Sequence, residues 1–189
     1  MKILAIDRPL DGRVVISDRV DLLADSSIVL NKKPLFLPDE GEGFMGSIHP
    51  AIRICHVGRS ISPKFASRYY DSFTLVLRVT PPADSAIPVG SAIGVSFDSA
   101  LGIGEWIPVQ SIESGDVTLT CDMFDSRATF SYDSMKIDES IAMLSRYFTL
   151  KNGDIIIPSQ SPLPSFPLHI DTRLGASVNS TQLLDFKIK

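Results

Sequence analysis

Three groups of side chains have types that could do chemistry. Asp39, Glu40 and Glu42 crowd into DEGEGFMG (39–46), and three carboxylates are the oxygen donors a hard divalent cation takes. A solvated loop accounts for the same residues, because loops concentrate acidic residues and glycine. His49, Cys55 and His56 offer softer donors, but their spacing fits no zinc pattern and no second cysteine pair follows. Arg59, Lys64 and Arg68 suit an anionic ligand and equally a solvated helix face. No Gly-x-Ser-x-Gly elbow occurs, so no serine, histidine and aspartate can be ordered into a triad. Gly102-Ile103-Gly104 lacks the third glycine and the following helix of a dinucleotide fingerprint.

Short strands must position these residues, since prolines and glycines break the chain throughout. The patterning predicts strands over 1–6, 13–16, 26–30, 51–57, 72–80, 91–97, 105–109, 116–124 and 128–132, with 34–38 a proline-bracketed edge segment. The strongest is SFTLVLRVT (72–80). There Phe73, Leu75, Leu77 and Val79 fall on one face, and Thr74, Val76, Arg78 and Thr80 on the other. Ile137, Ile141, Leu144 and Phe148 make one apolar stripe, which predicts a helix over 137–148. Asp138 is its expected N-cap, and Asn152 or Gly153 its left-handed stop. A weaker helix is expected over 62–70, a buried strand at Ile155-Ile156-Ile157, and closing strands within 167–178 and 183–189.

The 189 residues suggest one domain, with an apolar fraction of 44% and a charged fraction of 21%. The fold class expected is mostly β (α+β). A net charge of −4 weighs against nucleic-acid and anionic-membrane partners, which need a basic face. No run of about 18 apolar residues is present, and the start lacks the apolar centre of a signal peptide. Cys55 and Cys121 read as buried free thiols, and the expectation is a cytoplasmic protein.

The last half carries a resemblance. SFDSALGIGEWI (96–107), TLTCDMFDSRATFSYDSMKIDESIAML (118–144), SRYFTLKNGDIII (145–157) and PLHIDTRLGASVNSTQLLDFKIK (167–189) follow one another as similar segments do in the fumarylacetoacetate hydrolase family. The likeness is strongest over 91–189, and residues 1–70 match poorly. It implies a core of folded-over strands with one or two helices, and a homodimer. It also implies Mg2+ or Mn2+ held by carboxylates, and action on acylpyruvates and related enol or dicarbonyl acids by C–C hydrolysis, isomerisation or decarboxylation. In such a site the metal chelates substrate oxygens and stabilises an enolate, a base activates water, and a lysine holds developing charge.

Set beside this resemblance, the chain departs at its chemistry. Taking 72–80 as the family's Glu-x-Glu strand makes Asp71 the first metal ligand and puts Phe73, which cannot bind Mg2+, at the second. The Asn-Asp-Val-Ser-Ala segment is not found between Gly90 and Ser96, which leaves Asp98 as the nearest further carboxylate. The family's lysine falls on Val95. Its Gly-Thr-Pro turn becomes Pro158-Ser159-Gln160-Ser161-Pro162, with Ser159 and Ser161 as substrate-binding candidates. No counterpart of the Asn-Tyr…His segment occurs in residues 1–25. The expectation is a member whose site is inactive or altered, with a small-molecule acid or nothing as its ligand. The alternative is an active enzyme combining Asp71 with Asp98, Glu105 or a carboxylate of the 39–42 loop.

Overall fold

A computed structural model describes residues 1–38, 43–82, 84–88, 90–112 and 115–189, with Phe124 described by its backbone alone. The carboxylates Asp39, Glu40 and Glu42 lie outside the described residues. The chain opens with strands β1 (Ile3–Asp7), β2 (Arg19–Leu23), β3 (Ile28–Leu30) and β4 (Pro34–Leu35). The long strands β5 (Met45–Ile54) and β6 (Tyr70–Thr80) flank the short helix α1 (Pro63–Ala66). Helix α2 (Ala92–Val95) leads into β7 (Leu101–Ile103), β8 (Ile107–Pro108), β9 (Asp116–Cys121) and β10 (Ser126–Ser131). Helix α3 (Ile137–Tyr147) precedes β11 (Ile155–Ile157), β12 (Phe166–Pro167), β13 (Arg173–Val178) and β14 (Thr181–Ile188).

Among the described residues the strands form two sheets, and helices are few, as expected for a mostly-β fold. The larger runs β2-β1-β11-β5-β6-β7-β3, with β12 beside β5 and β8 beside β6. The smaller runs β10-β9-β13-β14-β4, so the proline-bracketed β4 is an edge strand. The alternation of β6 divides the interior as its sequence predicts. Phe73, Leu75, Leu77 and Val79 enter the main core with Leu184, Phe186 and Ile188 of β14 and Ile141 and Leu144 of α3. Burying each such side chain contributes about 1.5–3 kcal/mol. The opposite face of β6 gives Val76 to a smaller core with Ile3, Ala5, Leu23, Ala51, Ile103, Ile155 and Ile157. Leu23 of β2 and Ile28 of β3, from the two ends of the strand order, pack on this one cluster. The larger sheet therefore curls upon itself, and its inner face closes around this small core.

The differences from the predicted elements have local causes. β5 begins at Met45 rather than 51, because Pro50 is tolerated inside it. The Leu75 carbonyl opposite Pro50 is taken by the Gly104 amide at 3.0 Å, so Pro50 directs its backbone nitrogen away from β6. On that other edge β12 covers Met45 and Gly46 and β11 covers Ile52 and Arg53, and neither reaches Pro50. Residues 91–97 form α2 and not a strand, since the Ser91 hydroxyl accepts from the Gly94 amide at 3.2 Å and starts a turn. Residues 13–16 form no strand; the Val15 amide donates to Asp18 in a turn at 2.9 Å. The helix expected over 62–70 shrinks to the four residues of α1. In α3 the N-cap is Lys136, in a left-handed conformation, and Asp138 sits in the first turn accepting from the Tyr70 hydroxyl. The helix stops at Tyr147, and Gly153, with φ of 89°, shapes the turn into β11 instead. Cys121 is buried and Cys55 is half-buried. No helix among the described residues is long and apolar enough to cross a membrane.

Candidate functional site

The curled sheet presents polar residues at two ends of its inner face. On β5 these are Ser47 and His49 at one end and Arg53 at the other; on β6 they are Arg78 and Ser72. Register sets them opposite each other, Ser47 with Arg78 and Arg53 with Ser72. Between them lie Ala51 and Val76 of the small core.

Asp71 stands at the Arg53 end. It is exposed and accepts a hydrogen bond from the Ser72 hydroxyl at 2.6 Å. It lines an open hollow of about 550 Å³ with Arg53, Cys55, His56 and Arg68. Asp98 is exposed in the turn before β7, and that turn is tied to the far end of β6 by the Val79 amide donating to the Ala100 carbonyl at 2.9 Å. Val79 is eight residues beyond Asp71, which is about 26 Å of extended strand at about 3.3 Å per residue. Metal–oxygen contacts are roughly 2.0–2.6 Å, so Asp71 and Asp98 do not share one ion. Glu105 is exposed and engaged with Lys32 at 3.2 Å and Asn31 at 3.3 Å; those hydrogen bonds hold its carboxyl below the usual range. Among the described residues no three histidine, cysteine, aspartate or glutamate side chains converge as a metal site.

The other end is more covered. A pocket of about 250 Å³ is lined by Arg19, Ser47, His49, Arg78, Thr80, Val95 and a rim of prolines. Val95 is the position of the lysine in the resemblance, and it lies here because the Ser91 cap starts the helix that ends with it. Ser159, from the altered Gly-Thr-Pro turn, also meets this end, with its backbone and not its hydroxyl: the His49 ring contacts the Ser159 carbonyl through Nδ1 at 3.1 Å. The Ser159 hydroxyl instead donates to the Gln160 carbonyl at 3.2 Å. Ser161 is spent on its own turn, accepting from the Leu163 amide at 3.1 Å.

A carbonyl can only accept, so Nδ1 of His49 carries a proton. Burial first, and then the charge of Arg78, push the His49 pKa down to about 3, so the ring is neutral at ordinary pH. Its Nε2 then accepts from the Ser47 hydroxyl at 2.8 Å. Asp21 of β2, with a side chain only 2% exposed, pairs with two arginines of the lining. One oxygen pairs with Arg78 at 2.9 Å and the other with Arg19 at 3.1 Å, while Arg19 also reaches Asp7 at 3.1 Å. Sequence reasoning missed Ser47, His49, Arg78, Arg19 and Asp21 as a group. The signal was present as Ser47-Ile48-His49, two polar residues flanking an apolar one, next to a proline that a strand seldom holds.

A profile of fumarylacetoacetate (FAA) hydrolase C-terminal domains matches residues 20–158, well into the half of the chain where the resemblance was weak. No curated protein sequence matches. Three similar solved structures are enzymes. The fumarylpyruvate hydrolase of Pseudomonas aeruginosa, solved with Mn2+ and pyruvate, superposes with a TM-score of 0.78 at 16% identity over 100% of this chain and 89% of that one. The 5-carboxymethyl-2-hydroxymuconate delta-isomerase of Mycobacterium smegmatis gives 0.84 at 19% identity over 99% and 78%. The 2-hydroxyhepta-2,4-diene-1,7-dioate isomerase of Mycobacterium marinum gives 0.81 at 17% over 99% and 73%. At such identities these likenesses show the fold.

Proposed function

Because the chain belongs to the fumarylacetoacetate hydrolase family, we propose that it retains the family's pocket while replacing its metal with fixed side-chain cations, so that it binds a small organic acid directly. The observation that carries this reading is that Val95 lines the pocket and that the Ser159 carbonyl holds the ring of His49, which lines it too. Val95 and Ser159 are at the positions of the lysine and the Gly-Thr-Pro turn in the family, and the metal carboxylates belong beside them. On that registration Ser47-Ile48-His49 stands for Glu-x-Glu, and Arg78-Val79-Thr80 for the Asp-Val-Ser of the third ligand. The Glu-x-Glu strand is then β5 and not β6, and Asp71 lies outside the site.

This donor set does not fit Mg2+ or Mn2+. A hard divalent cation takes several charged or carbonyl oxygens. Here it meets a hydroxyl, a neutral imidazole and a guanidinium. The buried carboxylate beside the pocket, Asp21, already pairs with Arg19 and Arg78, one negative charge against two positive ones, and an ion would have to displace both. Arg78 spends Nη2 on Asp21, and a guanidinium carries five N–H donors in a fork that suits a carboxylate. Pyruvate, the ligand of the similar Pseudomonas structure, is a small acid of the class proposed.

Thermal melting with separate additions tests the reading. Pyruvate at about 100 times its Kd adds about 2.7 kcal/mol, a rise of roughly 5–10 °C for a chain of this size. Mn2+ and Mg2+ leave the melting point unchanged. A rise with Mn2+ that Asp21→Asn abolishes overturns the proposal and restores a metal site. The homodimer implied by the resemblance is part of this reading, and sedimentation at twice 20.6 kDa is the expected result.

A further inference from the structure

We propose that Ser47 is a nucleophile activated by His49, making this pocket a metal-independent site for acyl transfer from an ester or thioester whose acyl part carries a carboxylate. The inference rests on the pocket reading above and adds a reaction to it.

The geometry has the parts an activated serine needs, which are a nucleophile bonded to a base and a base held by a third group. Ser47 and His49 are two residues apart on β5, so the strand's two-residue period points both to one face. Ser47 Oγ lies 2.8 Å from His49 Nε2, and His49 Nδ1 lies 3.1 Å from the Ser159 carbonyl. That carbonyl fixes the tautomer with the Nε2 lone pair toward the serine. The orienting turn is itself pinned. Its next residue, Gln160, donates its amide to the Arg8 carbonyl at 2.8 Å and its side-chain nitrogen to Asp7 at 2.7 Å. Arg78 and Arg19 line the same pocket, supplying positive charge for the substrate's carboxylate and for an oxyanion.

The steps balance without a cofactor. Ser47 Oγ attacks the acyl carbon and its proton passes to His49 Nε2. The tetrahedral adduct collapses, the bond to the leaving oxygen or sulfur breaks, and the leaving group takes that proton. Water then attacks the acyl-serine ester, giving a proton to His49. The ester bond breaks, Ser47 recovers the proton, and the free acid departs. One water is consumed per acyl group.

The charged groups around the ring are Arg78 on β6, Asp7 on β1, and Arg19 and Asp21 on β2. Arg78 lowers the basicity of His49 and Asp7 raises it. Burial, the largest cause, keeps His49 a weak base, and an anion bound beside Arg78 offsets only the smaller influence of that charge. With the ring neutral down to about pH 3, the reaction rate should stay level between pH 8 and 5, where an ordinary histidine base would fall away below 6.5.

The test incubates the full chain with a fluorophosphonate and maps the adduct by peptide mass spectrometry. The expected result is one phosphonyl group on Ser47, with fluoride released, and at least a tenfold slower labelling in His49→Gln, since general-base help is typically worth about 100-fold or more. Hydrolysis of the mono-p-nitrophenyl ester of succinic acid should follow the same order. Wild-type protein that shows the pyruvate melting shift but takes no label on Ser47 overturns the dyad alone. Protein that shows neither overturns the pocket reading with it.

Discussion

The two ends of the curled sheet's inner face are made from the same two strands, yet only one of them is covered. At the Arg53 end, Arg53 donates to the Ser72 hydroxyl at 2.9 Å and stacks over Trp106 at 5.0 Å, while Asp71 faces water. At the Ser47 end, the ion pair of Asp21 with Arg78 has side chains 2% and 11% exposed, and His49 is buried. Six residues of β5, about 20 Å, separate Ser47 from Arg53. The amino acids at the two ends are alike. What differs is cover: β2, the Ser159 turn and the α2 segment close over one end. Removing water there fixes tautomers and couples charges that water would screen.

The largest effect should come from breaking the covered ion pair. Asp21→Asn leaves Arg78 buried without its counter-charge, which costs about 3–5 kcal/mol, or roughly 6–20 °C in melting temperature. Asp71→Asn at the open end should change stability by about 0.5 kcal/mol or less. If the two substitutions cost the same by thermal melting, the contrast between the ends is lost.

Acid should sharpen the contrast next. The folded state holds the His49 pKa at about 3, against 6.5 for the unfolded chain. Above pH 6.5 both states are neutral and the group has no effect. As pH falls from 6.5 toward 3, only the unfolded chain takes up the proton, so stability drops, by an amount on the order of a few kcal/mol. Denaturant midpoints of the wild type should therefore fall more steeply over that window than those of His49→Gln. Parallel slopes would mean His49 is solvated after all.

The smallest effects belong to the remaining exposed carboxylates. Asp98→Asn should stay within about 0.5 kcal/mol of wild type and leave the pyruvate melting shift intact. A loss of that shift would bring Asp98 into the site and spoil the division between the ends.

Much of the frame follows from local pattern. The two faces of β6, the buried Ile155–Ile157 run and the apolar stripe of α3 are legible because a strand repeats every two residues and a helix every 3.6. The family resemblance was legible too, since short ordered motifs survive substitution around them. The site's own residues were hidden as a group because they come from β2, β5 and β6, far apart in the chain. Pro50 disguises the strand that carries Ser47 and His49, and it is tolerated only through a gap between β11 and β12 that pairing creates. Asp71 looked like a ligand because a strand-start aspartate is chemically apt, while sequence says nothing about which end of a sheet is covered. The chain by itself determined which residues alternate, which are apolar and which family they resemble. Tertiary structure alone decided that Asp21, from 57 residues away, would meet Arg78. Burial and long-range pairing depend on how strands register across the sheet, and no short window of residues contains that information.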